Sequence, residues 1–169
     1  LDELRALIHA TGMEANSHSA AHQACFINSD RAGVLGDNRH WSHEHLCGPD
    51  CAPETIVHPV GSAYAHGGFG RSWNGSPLTI GTREERQAFC VDDFSRSNSR
   101  LEDALDIACP FLCLPWGEYD AVTLEAAKKS GFACLLTLDR ARVGAGSDAL
   151  RIGRRAIKDG RSLFELTIR

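Results

Sequence analysis

Apolar positions at steps of three and four open the chain. Leu1, Leu4, Leu7 and Ile8 fall on one stripe of LDELRALIHAT, and Gly12 follows as a stop, which predicts a helix over 1–11. MEANSHS behind it reads as a short strand. A second stripe runs through Cys90, Phe94, Ser97, Leu101, Leu105 and Ala108 with charged residues opposite, and Thr82 with Glu85 three residues on has the capping-box pattern. An amphipathic helix is expected from Thr82 to about Ala108. FLCLPW is a short apolar run suited to a strand buried on both faces. Asp120 caps a further helix through AVTLEAAKKS, which Gly131 ends, and FACLLTLD is the next buried strand. After a Gly/Ser-rich turn, ALRIGRRAI is extended in character and SLFELTIR closes the chain as a helix. Helix and apolar strand in alternation predict an α/β fold of parallel βα units, as a barrel or a doubly wound sheet. The run of units is short for a whole barrel.

Between about residues 23 and 81 this regularity stops, and the chain becomes rich in Gly, Pro, His, Ser and Asn. Loops of that length without elements of their own are uncommon and usually functional. Two readings stand side by side: an irregular surface insertion, or a segment that shapes a binding groove. With 169 residues, 43% of them hydrophobic, the chain has material for one core and hence a single domain over 1–169. The formal charge of −4, without any run of like charge, argues against nucleic acid or an anionic membrane surface as partner. No apolar run is long enough to span a bilayer and no signal peptide opens the sequence.

The chemistry starts at SHSAAH. His18 and His22, three residues between them at the C-terminal end of a strand, can converge on one metal ion, although two polar histidines at a strand end would give the same pattern. HWSHEHLCGPDC offers a second set, His40, His43, His45, Cys47 and Cys51, as an alternative structural zinc site whose spacing fits no common zinc module. For Cys47 and Cys51 a local disulfide, a metal site and two free thiols are all open. Cys109, Cys113 and Cys134 lie in apolar runs and read as small hydrophobes. His58 and His66 are candidates for substrate contact or proton donation, or are simply loop histidines. Asp92 and Asp93 in CVDDF fall in the second helix, with both carboxylates expected on its solvent face.

LDELRALIHATGMEANSHSAAHQ, followed by FLCLPWGEYDAVTLEAAKKSGFACLLTLDRARVGAGSDALRIGR, resembles two blocks of the polysaccharide deacetylases of the NodB-homology class, related to carbohydrate esterase family 4. The blocks occur in the family's order and span roughly half of the chain. PWGEY, with the long excursion after the histidines, is closest in flavour to the branch that deacetylates poly-β-1,6-N-acetylglucosamine. The resemblance implies the C-terminal part of a distorted (β/α) barrel domain and a divalent ion, zinc foremost, on His18 and His22. It implies a catalytic part for Trp116, whose backbone N–H would stabilise the oxyanion, and a sugar groove at Pro115, Trp116 and Tyr119. It places the family's catalytic Asp pair and general-acid His before Leu1, and it sets Cys113 where family members carry an Arg that orients a carboxylate. The implied function is hydrolytic removal of N-acetyl groups from an N-acetylated polysaccharide or oligosaccharide, in the periplasm, outside the cell or at its surface. The alternative is a non-catalytic carbohydrate-binding or zinc-stabilised module that retains the barrel.

Overall fold

The computed structural model describes residues 2–37, 41–67, 81–140 and 142–154. Its centre is a parallel sheet of three strands, β5 (Phe111–Cys113), β6 (Cys134–Thr137) and β7 (Ile152–Gly153), in that order, with Phe111 opposite Cys134 and Leu136 opposite Ile152. MEANSHS joins the free side of β5, but only through Ser17, which forms one parallel bridge to Leu112. Ser17 N donates to Phe111 O (3.1 Å) and Cys113 N donates to Ser17 O (2.8 Å). The expected strand is therefore a single residue wide.

Helix α1 (Asp2–Thr11) ends as expected at Gly12, whose left-handed φ of 67° brings its N–H to Ile8 O at 2.9 Å. Its apolar stripe is not buried: Leu4 and Leu7 are 40% and 48% exposed.

Helix α3 (Arg83–Leu105) begins on the predicted capping box, with Glu85 N donating to Thr82 Oγ1 (3.1 Å) and Thr82 N to Glu85 Oε2 (2.8 Å). It stops at Leu105 rather than near Ala108 because Asp106 takes the left-handed conformation (φ 55°) as C-cap. Replacing Thr82 by Ala is expected to cost about 1 kcal/mol, read as a shift in the urea midpoint, since one orphan donor of the first turn loses its partner. Helix α4 (Ala121–Lys129) is capped by Asp120 through Thr123 N at 3.0 Å. α3 and α4 pack on each other and on the sheet. The main core joins Cys90 and Phe94 of α3, Ala126 and Ala127 of α4, and Leu112, Leu114 and Leu135 around the strands. The strands are not sealed on both faces: Leu112, Leu135 and Thr137 are fully buried, while Phe111, Cys113, Cys134 and Leu136 are half-buried.

The described part of the 23–81 segment carries more regular structure than its composition implies. β1 (Ala24–Phe26) pairs antiparallel with β4 (Val60–Ser62), β2 (Gly33–Val34) pairs antiparallel with β3 (Ile56–Val57), and α2 (Trp41–Cys47) lies between. Together they enclose a second core of Ala24, Phe26, Leu46, Cys47 and Val57. Strands of two and three residues are too short to leave a period in the sequence. Two aromatic residues tie the cores together. Tyr64, from the excursion, is buried in the sheet's core, and Trp116, from the turn after β5, packs against the excursion's core.

At the other end, Ala149–Arg151 forms a short 3₁₀ turn before β7. The extended run over 155–157 and the expected helix over 162–169 fall outside the described residues.

Candidate functional site

Ser17 is fixed to the sheet, and the chain then turns away through SHSAAH. Ser19 (φ 71°) and His22 (φ 46°) both take left-handed backbone, a region that residues with a Cβ occupy only when their surroundings impose it. The surroundings are polar and specific. Ser17 Oγ lies 2.7 Å from Ser97 Oγ of α3, and His22 N donates to Ser19 Oγ at 3.0 Å. Ala20 N donates to Asp93 Oδ2 at 3.0 Å, and Gln23 N to Tyr64 Oη at 3.3 Å.

So held, the imidazoles of His18 and His22 stand 4.9 Å apart between ring centres. His18 Nδ1 lies 2.7 Å from the carbonyl of Cys113, which can only accept; Nδ1 therefore carries the hydrogen and Nε2 the lone pair. A metal-binding imidazole characteristically donates its other N–H in this way. Burial chiefly lowers the His18 pKa below its ordinary value, with His22 and Arg154 adding to the effect and the Cys113 bond opposing it. Its neutral form, the one a metal requires, is favoured. Two imidazoles so placed can supply two ligands to a divalent ion. Among the described residues no group of three His, Cys, Asp or Glu side chains is placed to hold a metal.

The opposite wall is the 3₁₀ turn Pro115–Gly117, where Trp116 has φ 56°. Gly117 N donates to Leu114 O (3.0 Å) and Glu118 N to Pro115 O (3.4 Å), which sets the indole against the second core. His22 meets Trp116 edge-on at 5.5 Å and Trp41 at 5.9 Å, and the two indoles are 6.2 Å apart. The second histidine is thus enclosed by two aromatic faces. Pro115 is fully buried, so it shapes the turn and cannot line a sugar groove.

Beyond Gly117 opens a cleft of about 620 Å³, bordered by His66, Glu118, Tyr119 and Asp139. Tyr119 Oη donates to Asp139 Oδ2 at 2.5 Å, a bond that raises the phenol's pKa. Glu118 Oε2 accepts from Ser62 N (2.7 Å) and lies 3.2 Å from His66 Nε2. His58 is placed elsewhere, with Nδ1 on Asp30 O at 2.9 Å and its ring edge-on to Phe26. Cys113 contributes its carbonyl to His18. Arg154, just beyond β7, donates from Nη2 to Leu114 O at 3.2 Å.

One sequence expectation is corrected. The carboxylates of CVDDF do not both face solvent: Asp92 is 71% exposed and pairs with Arg96, whereas Asp93 is completely buried. The reason is helical phase, because Cys90, Asp93 and Ser97 are also spaced by three and four and share a face next to the apolar stripe. That spacing was the available signal for Asp93; for Tyr64 and Trp41, inside a segment without periodicity, there was none. The alternative zinc set does not assemble among the described residues. His43 is buried with Nε2 3.1 Å from His58 O, His45 points to the surface, and Cys47 and Cys51 are free thiols. Burial, with Cys51 beside it, pushes the Cys47 pKa up. His40 falls outside the described residues.

No protein-family model matches the sequence, and no curated protein matches it either. Solved structures do. Over 98% of this chain, the fold superposes on a de-N-acetylase from Aggregatibacter actinomycetemcomitans with a TM-score of 0.68 at 17% identity. Over 90% it superposes on the BpsB deacetylase domain from Bordetella bronchiseptica with a TM-score of 0.63 at 16% identity. The chain spans about half of each, 50% and 47% of their lengths, so what is shared is the fold of part of a deacetylase domain.

Proposed function

We propose that this chain is part of a metal-dependent hydrolase that removes N-acetyl groups from an amino-sugar polysaccharide of the N-acetylglucosamine type, working outside the cytoplasm. In this reading the parallel units belong to a distorted (β/α) barrel whose strand ends carry the chemistry. The single observation that supports it is the histidine pair: two imidazoles 4.9 Å apart at the C-terminal edge of a parallel sheet, one of them locked by a carbonyl into the tautomer that leaves Nε2 free to bind. The fold shared with two deacetylase structures agrees with it.

His18 and His22 hold the ion, zinc foremost, as two of its ligands. Such an ion, when bound, acidifies water and polarises a carbonyl. The chain's own residues do the remainder. Trp116 N–H takes no part in the two hydrogen bonds that close its turn, and it is assigned to the developing oxyanion. The rings of Trp116 and Tyr119 form the walls against which a pyranose stacks, the latter held at its rim by Asp139. A carboxylate that completes the ligand set and takes a proton is required by the reaction; Asp93 is not that group, because it is buried and committed to Ala20 and Tyr64. Among the described residues no helix is long and apolar enough to cross a membrane.

Elemental analysis tests the reading. Purified protein is expected to carry a divalent metal that is lost in the His18→Ala plus His22→Ala variant and kept in the Cys47→Ser plus Cys51→Ser variant. Metal that follows the cysteines instead, or no metal at all, would sink the assignment. Binding of N-acetylglucosamine oligomers without release of acetate would favour a non-catalytic carbohydrate-binding module.

A further inference from the structure

We infer that Asp93, a buried carboxylate on α3, is the positioning residue that holds the SHSAAH turn, and through it His18 and His22, in metal-binding form. This rests on the proposed role of the two histidines. Asp93 is 0% exposed and, among the described residues, accepts from Ala20 N at 3.0 Å, Tyr64 Oη at 2.8 Å and Arg96 Nη2 at 3.0 Å. Only the last lies on its own helix. Ala20 sits midway between the two histidines.

The hydrogen bonds around it have a direction that the carboxylate imposes. An ionised carboxylate only accepts, so the Tyr64 hydroxyl spends its one hydrogen on Asp93 Oδ2. Tyr64 Oη, 3.0 Å from Ser19 Oγ, must then accept the serine's hydrogen, which leaves a lone pair on Ser19 Oγ for His22 N at 3.0 Å. Gln23 N donates to Tyr64 Oη as well. A chain of donors thus runs from the His22 backbone through Ser19 and Tyr64 and ends on Asp93.

Backbone strain supplies the reason for such a device. Ser19 and His22 both hold left-handed φ values, which persist only if their surroundings over-determine them. A buried carboxylate is itself costly unless it is well hydrogen-bonded. An apolar residue at position 93 would fill the core but leave Ala20 N and Tyr64 Oη without their acceptor.

Two readouts test the inference on the full chain: zinc affinity by calorimetric titration with zinc chloride, and hydrogen exchange at the Ala20 and Gln23 amides of metal-free protein. Asp93→Ala is expected to weaken zinc binding about tenfold or more and to speed exchange at Ala20. Asp93→Asn, which keeps a neutral acceptor, should recover much of both, and Asp92→Ala should change neither. A folded Asp93→Ala protein with unaltered zinc affinity and unaltered Ala20 protection overturns the inference. If that variant does not fold, Tyr64→Phe decides: faster exchange at Gln23 with weaker zinc binding supports the relay, and unchanged values refute it. Should the parent chain bind no zinc, the metal reading fails by itself, while exchange at Ala20 in Asp93→Ala still reports whether Asp93 positions the turn.

Discussion

Gly117→Ala should destabilise the protein by about 2–5 kcal/mol, the sum of the left-handed backbone penalty for a residue with a Cβ and the cost of overpacking. Gly117 has φ 69°, and a Cβ there would lie 2.4 Å from Leu138 Cγ, 2.6 Å from Leu138 Cβ and 2.7 Å from Leu138 N. The leucine side chain is half exposed and can swing away; the backbone nitrogen of the segment after β6 cannot. Gly131→Ala is the matched control. Its φ of 86° carries the same conformational penalty, but nothing lies within 4 Å of the new methyl group, so about 1–2 kcal/mol is expected. Urea unfolding of the two variants separates strain from collision. Equal losses would mean that the approach of Leu138 to Gly117 relaxes without cost, and that the Trp116 turn is less rigid than its hydrogen bonds imply.

Phe94→Ala should cost about 3–5 kcal/mol, a large share of the roughly 5–15 kcal/mol available to a domain. Phe94 is completely buried on α3, stacked on Tyr64 with ring centres 5.1 Å apart and edge-on to Phe132 at 6.4 Å. No neighbour can collapse into the vacated space without surrendering contacts of its own. Phe94→Leu, which keeps most of the volume, should recover well over half of the loss. Chemical denaturation monitored by Trp fluorescence and by circular dichroism measures both. A loss for Phe94→Ala below about 1 kcal/mol would show that the core around Phe94 closes over the vacated space almost without cost.

How far the sequence could be read depended on the length of each element. α3 declared itself through an amphipathic stripe and a capping box whose two hydrogen bonds the structure shows, and α4 through Asp120 and Gly131. β5 and β6 were visible as apolar runs. The excursion was not, because its strands of two and three residues are fixed by partners far along the chain, such as Ala24 by Ser62, rather than by local pattern. In the site, His18 and His22 could be picked out because their spacing is short and their residue type unusual. Trp41 and Tyr64 could not, since only folding brings them to the histidines. Asp93 differs for another reason: the apolar stripe of α3 predicts it on the solvent face, yet with Cys90 and Ser97 at steps of three and four it lies on the buried one. α1 shows the converse, an apolar stripe that predicts a helix well and its burial not at all.

The exchange of Tyr64 and Trp116 between the two cores bears on how this molecule can be redesigned. Trimming the excursion to a short linker would take away Tyr64, and with it the ring on which Phe94 and Phe89 stack and the carbonyl that receives Arg86 and Thr123. Grafting the sheet and its helices elsewhere would strip the excursion of the indole that closes its apolar side. Neither part is a module that can be transplanted alone. A chimera that kept the histidines would have to carry both aromatics, each in its host, so the smallest portable unit is the interlocked pair.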